Sequence, residues 1–424
     1  MTRDEKTSFF SLFLDRVEVK PKDLVPLTED VQEARKDPAL WRNLMVKLRS
    51  GVESPRWRLF RQFISLPGGL KFLLDLRADI LAAQHQGAPD LEPLDDDLKR
   101  LFESWFQNGF LFLKEITLDS PYSQIEIIKT RDMVHPMTSL EEVGQRLGRD
   151  RRCLALYHHA MPKEPVVFIE VGLTKGLARS IHEIIGQEAG QGNGQGRKDT
   201  AIFYSINNTQ NGLAGLGLGK VLIFQVVEYL KKRAPQVKNF CTLSPMPGFW
   251  RRYLRPVLEG QEGFKMNVEG LQKVFDKRTF TLLQKEFVSM DGDKNAGFTE
   301  VLLGVFSETR WAENQVLVRS LAKPLRRLGY IYLAEEKNRV GQPLDPVANF
   351  HLSNGASLTP GHVNFMANCS PKGLERSLSL MVNYVYSQTW LKQIQSSVVR
   401  LGGIIPVSMS RGLTAGSKGE DAAG

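Results

Sequence analysis

The sequence predicts an α+β protein in which an all-helical N-terminal bundle precedes a mixed α/β domain. Three observations carry this expectation. Up to residue 108 the apolar residues recur at spacings of three and four, with no convincing strand among them. After Gly109 short β-branched and aromatic runs alternate with helical patterns. Between residues 200 and 244 a strand, a glycine-rich turn, a helix and a second strand follow one another without a break.

Taken in order, "VQEARKDPALWRNLMVKLRSG" (31–51) and "DDDLKRLFESWFQNGF" (95–110) have acids at their starts and glycine at or near their ends, as helices do. The strands that follow are "FLFLKEIT", "RRCLALYHH", "EPVVFIEVGL", "TAIFYSI" and "NFCTLS". "GQEAGQGNGQGRK" (186–198) has the composition of a mobile surface loop. "DGDKNAGFTEVL", from Asp291, resembles a calcium loop but has Ala296 where glycine is required and Leu302 where a bidentate glutamate is required, so it reads as a polar turn. The expected division is a helical domain over 1–108, an α/β domain over 109–406 and a flexible Gly/Ser-rich tail over 407–424.

Composition narrows the function without choosing one. The 424 residues carry a net charge of +9, which favours anionic partners of any kind, from nucleic acid to phosphate-bearing cofactors and acidic lipids. Cys153, Cys241 and Cys369 are far apart and form neither a disulfide framework nor a zinc motif. No run approaches the roughly 20 apolar residues of a membrane helix. The acids Asp4 and Glu5 do not fit a signal or transit peptide, and the last residues are not a Ser-Lys-Leu address. A cytoplasmic protein is expected.

The segment "TAIFYSINNTQNGLAGLGLGKVLIFQVVEYLKKRAPQVKNFCTLSPMPGF" is the most informative. A right-handed crossover makes its two strands parallel and puts the glycine turn and Ser244 at the same sheet edge. Ile223, Val226, Val227 and Leu230 share one helix face. Gly215, Gly217 and Gly219 permit close backbone approach, and the helix N-terminus offers free N–H groups to a phosphate, with Lys220 nearby. Glycines in this pattern serve equally well as a packing turn; they make neither a P-loop nor a complete dinucleotide fingerprint.

Three separated motifs, "TAIFYSINNTQNGLAGLGLGK", "TLSPMPGF" and "LDPVANFHLSNGA", together with "VHP" at 134–136, "RRC" at 151–153 and "VNYVY" at 382–386, resemble those of the malonyl-CoA decarboxylase family. The resemblance implies a helical, self-associating N-terminal domain and an acetyltransferase-like (GNAT) catalytic domain. It implies conversion of malonyl-CoA to acetyl-CoA and carbon dioxide with no cofactor, coenzyme A being part of the substrate. It places the family's proton acceptor on Ser244 and its proton donor on His351, with the CoA-contacting loop on Ala214, Gly215, Leu216, Gly217, Leu218, Gly219 and Lys220. Ile223 lies one turn further on, and an active-site tyrosine falls on Tyr386. Animal relatives carry an acid where this chain has Gly217; Glu335 and Glu336 are candidates to replace it.

The expected partners are malonyl-CoA and acetyl-CoA, in a homo-oligomer (dimer or tetramer), without nucleic acid or membrane. Each site residue also has a plainer reading. Ser244 before Pro245 suits any strand end, and His351 before Asn354-Gly355 suits a hairpin flank. Tyr386 suits the buried face of an amphipathic helix, and His158-His159 suits a strand end. A CoA-dependent acyltransferase is the alternative function. A nucleic-acid binder, prompted by "FWRRYLRP", is a weaker one.

Overall fold

The computed structural model describes residues 2–387 apart from 21–24, 27–29, 32–33, 35–36, 88–90, 149 and 186–196. The Gly/Gln tract up to residue 196 and the C-terminal tail lie outside the described residues.

The N-terminal region is helical, as expected, with α1 (Arg3–Arg16), α2 (Pro38–Val52), α3 (Pro55–Ile64), α4 (Gly69–His85) and α5 (Glu92–Trp105). Local chemistry sets the boundaries. Thr2 and Glu5 form a reciprocal cap on α1, and Asp37 and Ser54 cap α2 and α3, each followed by proline at the first helical position. Thus α2 starts at Pro38, later than the apolar spacing alone indicates, because Asp37 accepts from the Ala39 amide.

Seven strands follow in one mixed sheet, ordered β1-β2-β3-β4-β5-β10-β7. They are β1 (Leu111–Ile116), β2 (Arg151–His158), β3 (Met161–Thr174), β4 (Thr200–Asn208), β5 (Asn239–Thr242), β7 (Ala356–Ser357) and β10 (Val385–Tyr386). The five longer ones match the expected strands. A smaller sheet holds β6 (Ser244–Pro245), β9 (Met381–Val382) and β8 (Val363–Asn364). The crossover is as expected: β4 and β5 are parallel, joined by α6 (Leu218–Arg233), whose Ile223, Val226, Val227 and Leu230 are buried.

Two irregularities open the sheet. β3 opposes Glu170 to Ser205 and Val171 to Phe203, so Tyr204 is an extra residue that bulges β4. β5 pairs with β4 only as far as Phe203 opposite Thr242, and Ser244 then joins the smaller sheet. From Tyr204 onward β4 and the continuing chain splay apart. This splayed parallel pair frames the site described below.

The bundle and the sheet share one apolar core, in which Leu73, Leu74, Leu98 and Phe102 join Phe203, Leu213, Leu222 and Val226. Arg77 of α4, almost wholly buried, donates to Asp95 (2.7 Å) and to the carbonyls of Gly212 (2.7 Å) and Ala214 (2.9 Å). A second, helical core surrounds α7 (Gln315–Ala334) and includes Trp311, Tyr332 and Phe249. Among the described residues no helix is long and apolar enough to cross a membrane.

The close approach of α4 to the glycine segment makes a stability prediction. A Cβ at Gly212 meets the Leu74 carbonyl oxygen at 2.1 Å, whereas nothing lies within 4 Å of one at Gly109. In urea titrations Gly212→Ala is expected to lose about 2–4 kcal/mol and Gly109→Ala to stay within about 0.5 kcal/mol of the parent.

Candidate active site

A cavity of about 510 Å³ occupies the splay. Its walls are Phe203–Ile206 and Asn208 of β4, Gly215 and Gly217–Gly219 at the start of α6, Ser244–Pro245, and Pro346, Val347, Phe350 and His351. The edge of β4 beyond Phe203 has no pairing with β5, so its backbone N–H and C=O groups border the cavity.

At one end lies the glycine turn. Gly215 and Gly217 have φ of 78° and 67°, the left-handed region, and Gly217 is the N-cap of α6. Gly219 is required for a different reason: a Cβ there meets Phe350 Cζ at 2.7 Å. Leu218 lines the cavity, whereas Ala214 and Lys220 are exposed on its flank, Leu216 is half-buried, and Ile223 is buried in the core away from the lining.

At the other end Ser244 and His351, 107 residues apart, meet with Oγ and Nε2 at 3.3 Å. His351 sits in the last turn of α8 (Pro346–Ser353), with Asn354 at its C-cap and Gly355 at φ 81°. The residues before Asn-Gly therefore form a helix and not a hairpin flank. Asp345, fully buried, caps that helix by accepting from the Ala348 amide (2.8 Å) and also accepts from the Tyr332 hydroxyl (3.1 Å). Burial pushes Asp345 upward, partly offset by these donors.

The imidazole is fixed on every side. Nδ1 is 2.8 Å from the Tyr386 hydroxyl, and the Tyr384 ring stacks on it with centroids 4.6 Å apart. Ser244 Oγ lies 2.9 Å from Thr242 Oγ1, which also accepts from the Tyr384 amide. With Ser244 donating to Thr242, Ser244 Oγ accepts from Nε2–H, and Nδ1 accepts from Tyr386. The hydroxyl of Tyr386 thus selects the tautomer that carries its proton on Nε2. Burial lowers His351 to about 3, so the free site holds a neutral ring at pH 7, and burial raises Tyr386.

Tyr386 lies on β10, paired with β5 and β7, and not on a helix. Its strand spans two residues, too short for a periodicity to identify; its partners impose the conformation. Neither Glu335 nor Glu336 supplies an acid to the site. Glu335 pairs with Lys265, Glu336 accepts from the amides of Lys265 and Met266, and neither lines the cavity. His351 takes its orientation from a phenol instead.

Sequence reasoning missed several supports. Asp132 accepts from the amides of Val134 and His135 and from Ser205 and Asn207, and pairs with Arg146 at 2.9 Å, so Val134 is held in the cavity wall. Burial raises Asp132, but these donors and Arg146 outweigh it and leave it low; burial and the adjacent Asp132 raise Glu170. Thr242 and Tyr384 fall inside the motifs "TLSPMPGF" and "VNYVY", but their roles depend on contacts between those two segments, and Arg77 has no sequence signal because its partners Gly212 and Ala214 lie far along the chain. His158 is structural, as expected: Nε2 donates to the Trp105 carbonyl and Nδ1 accepts from the Ala160 amide.

Comparisons with known proteins point to one family. Family profiles described as the malonyl-CoA decarboxylase N-terminal and C-terminal domains match residues 19–106 and 109–420. The goose (Anser anser anser) protein named "Malonyl-CoA decarboxylase, mitochondrial" is 37% identical over 338 residues, covering 78% of this chain and 64% of its own length. The rat protein of that name is 37% identical over 337 residues, covering 78% and 65%. This chain therefore spans slightly under two thirds of either curated relative. Crystal structures of malonyl-CoA decarboxylase from Rhodopseudomonas palustris and Agrobacterium vitis superpose with TM-scores of 0.74 and 0.75, each 30% identical and covering 95% of this chain and 89% of theirs.

The buried rings also set the acid limit of stability. Burial lowers His135 to about 4, against an opposing pull from Asp132, and lowers His351 to about 3. Because the folded values lie below the unfolded one, the stability is complete above about pH 6.5 and is lost as pH falls toward 4. Unfolding free energies from urea titrations between pH 7 and 4.5 are expected to fall, by up to about 1.4 kcal/mol per pH unit for each histidine, and His135→Gln to flatten that decline.

Proposed function

The chain belongs to the malonyl-CoA decarboxylase family, and from that premise we propose that it converts malonyl-CoA to acetyl-CoA and carbon dioxide. The observation that carries the reading is the meeting of Ser244 and His351 at 3.3 Å in a cavity whose opposite wall is the glycine turn. In this reading the N-terminus of α6 and the backbone from Ala214 to Lys220 hold the CoA diphosphate, and the acyl end reaches the dyad.

Loss of carbon dioxide leaves an enolate, so the site must stabilise the thioester oxygen and then supply a proton to the α-carbon. Backbone N–H groups that border the cavity suit the first task; each donor in comparable sites contributes roughly 3–4 kcal/mol. His351 supplies the proton, and Ser244 positions the carboxylate and exchanges protons with the ring. No prosthetic group is needed for this chemistry. Tyr386 orients His351 through its hydroxyl on Nδ1.

Self-association through the N-terminal bundle belongs to the same reading. It is supported by Phe9, Leu40, Trp41, Met45 and Phe72, large apolar side chains that α1, α2 and α4 leave at 40% exposure or more. A reducing, cytoplasmic setting suits three free cysteines.

Two experiments test the assignment. Release of carbon dioxide from malonyl-CoA without any acceptor distinguishes a lyase from the rival acyltransferase, which needs one. Ser244→Ala and His351→Gln are expected to lower kcat about a hundredfold to ten-thousandfold while binding of acetyl-CoA is retained; full activity in either removes its role. Arg77→Met is expected to raise KM about tenfold with kcat little changed, since it loosens the loop and leaves the dyad intact; an unchanged KM would show that the loop holds its shape without it.

A further inference from the structure

We propose that the carboxylate of the bound malonyl thioester is what charges His351, so that the enzyme takes up a proton from solvent as substrate binds and spends it on the α-carbon after carbon dioxide has left. This inference rests on the decarboxylase reading. The free site gives His351 no reason to be charged. The groups facing it are neutral on every packed element: Ser244 of β6, Tyr386 of β10 and the stacked Tyr384 beside it, and Phe350 of its own helix. Among the described residues the cavity lining contains no Asp, Glu, Lys or Arg.

The buried charges of neighbouring elements are all occupied elsewhere. Asp345 is held by Tyr332 and the start of α8, and Asp132 and Glu170 by Arg146. His135, whose Nε2 has no partner within the protein, lies with Asp132 against Tyr204 and feels Lys372. Burial is the cause of His351's lowered value, and no charged side chain contributes to it.

The malonyl group is dianionic in no part: it brings a single negative charge into this apolar enclosure. An ion there requires a counter-ion, and the imidazole is the group able to become one. A neutral ring is also a poorer acid, because giving up Nε2–H would leave an imidazolate buried in an apolar enclosure with no counter-ion. The balance closes with the imidazolium. One proton enters from solvent, the bond between the α-carbon and the carboxylate breaks, and its electron pair passes to the thioester enolate. Neutral carbon dioxide departs, and Nε2 gives its proton to carbon; the ring is left neutral with its remaining proton on Nδ1, and exchange with solvent restores the resting tautomer, with the proton on Nε2, for the next cycle.

The test is calorimetric titration of the full-length enzyme with acetyl-CoA and with sulfoacetyl-CoA, whose sulfonate keeps the negative charge and has no carbon dioxide to lose. Each is measured in phosphate and in Tris buffer, so that the change in apparent enthalpy with buffer reports protons bound. The coenzyme portions are identical, and their own titration cancels in the difference. The expected difference is about one proton more for the sulfonate, abolished in His351→Gln, which still binds acetyl-CoA. Equal proton numbers for the two ligands, or a difference that survives His351→Gln, overturn the proposal. With malonyl-CoA itself, kcat/KM is expected to fall about tenfold per pH unit above neutrality, and a flat profile overturns it equally. If carbon dioxide is released but the proton numbers are equal, only this inference fails; if none is released, the decarboxylase reading fails with it.

Discussion

Four uncharged groups in a row, Tyr386, His351, Ser244 and Thr242, set the terms for the rest of this site. Each is buried, so each must give or receive a hydrogen bond from its neighbour, and the direction of the whole row is decided together. A serine and a histidine at a surface would sample many arrangements. Here the stacked Tyr384 and the capped helix α8 leave the ring one orientation, and the row leaves it one tautomer.

The row is useful only because the sheet opens beside it. The extra residue Tyr204 bends β4, and the transfer of the chain from β5 into the smaller sheet at Ser244 carries the hydroxyl to the far side of the gap. The opposite end of the gap is shaped from outside the α/β domain. Arg77 reaches from the N-terminal bundle to the carbonyls of Gly212 and Ala214, and Leu213 belongs to the apolar core that both regions share. The bundle is therefore part of how the glycine turn keeps its form, whatever it contributes to association.

Much of this was legible in the chain. The long strands and α6 have periodicities that survive in any context, and the crossover rule placed the glycine turn and Ser244 together. Ser244 and His351 themselves were singled out by resemblance to a family; composition and spacing left each with an ordinary alternative. What could not be read shares one physical cause. The local sequence of Tyr386 reads as helical because a two-residue strand gets its conformation from β5 and β7, and nothing adjacent to Glu335 and Glu336 shows that Lys265 and Met266, some seventy residues away, hold them. Arg77 acts through carbonyls far away in sequence, and Asp132 and Thr242, although beside or inside the quoted motifs, gain their roles from residues of distant segments, Arg146 and Ser205 for the one and Tyr384 for the other.

The ring of Phe350 occupies the space that a side chain at Gly219 would need, and His351 is the very next residue. One aromatic ring thus ties the glycine turn to the helix that carries the imidazole, so a change of ring size at position 350 would shift the turn and the acid relative to one another.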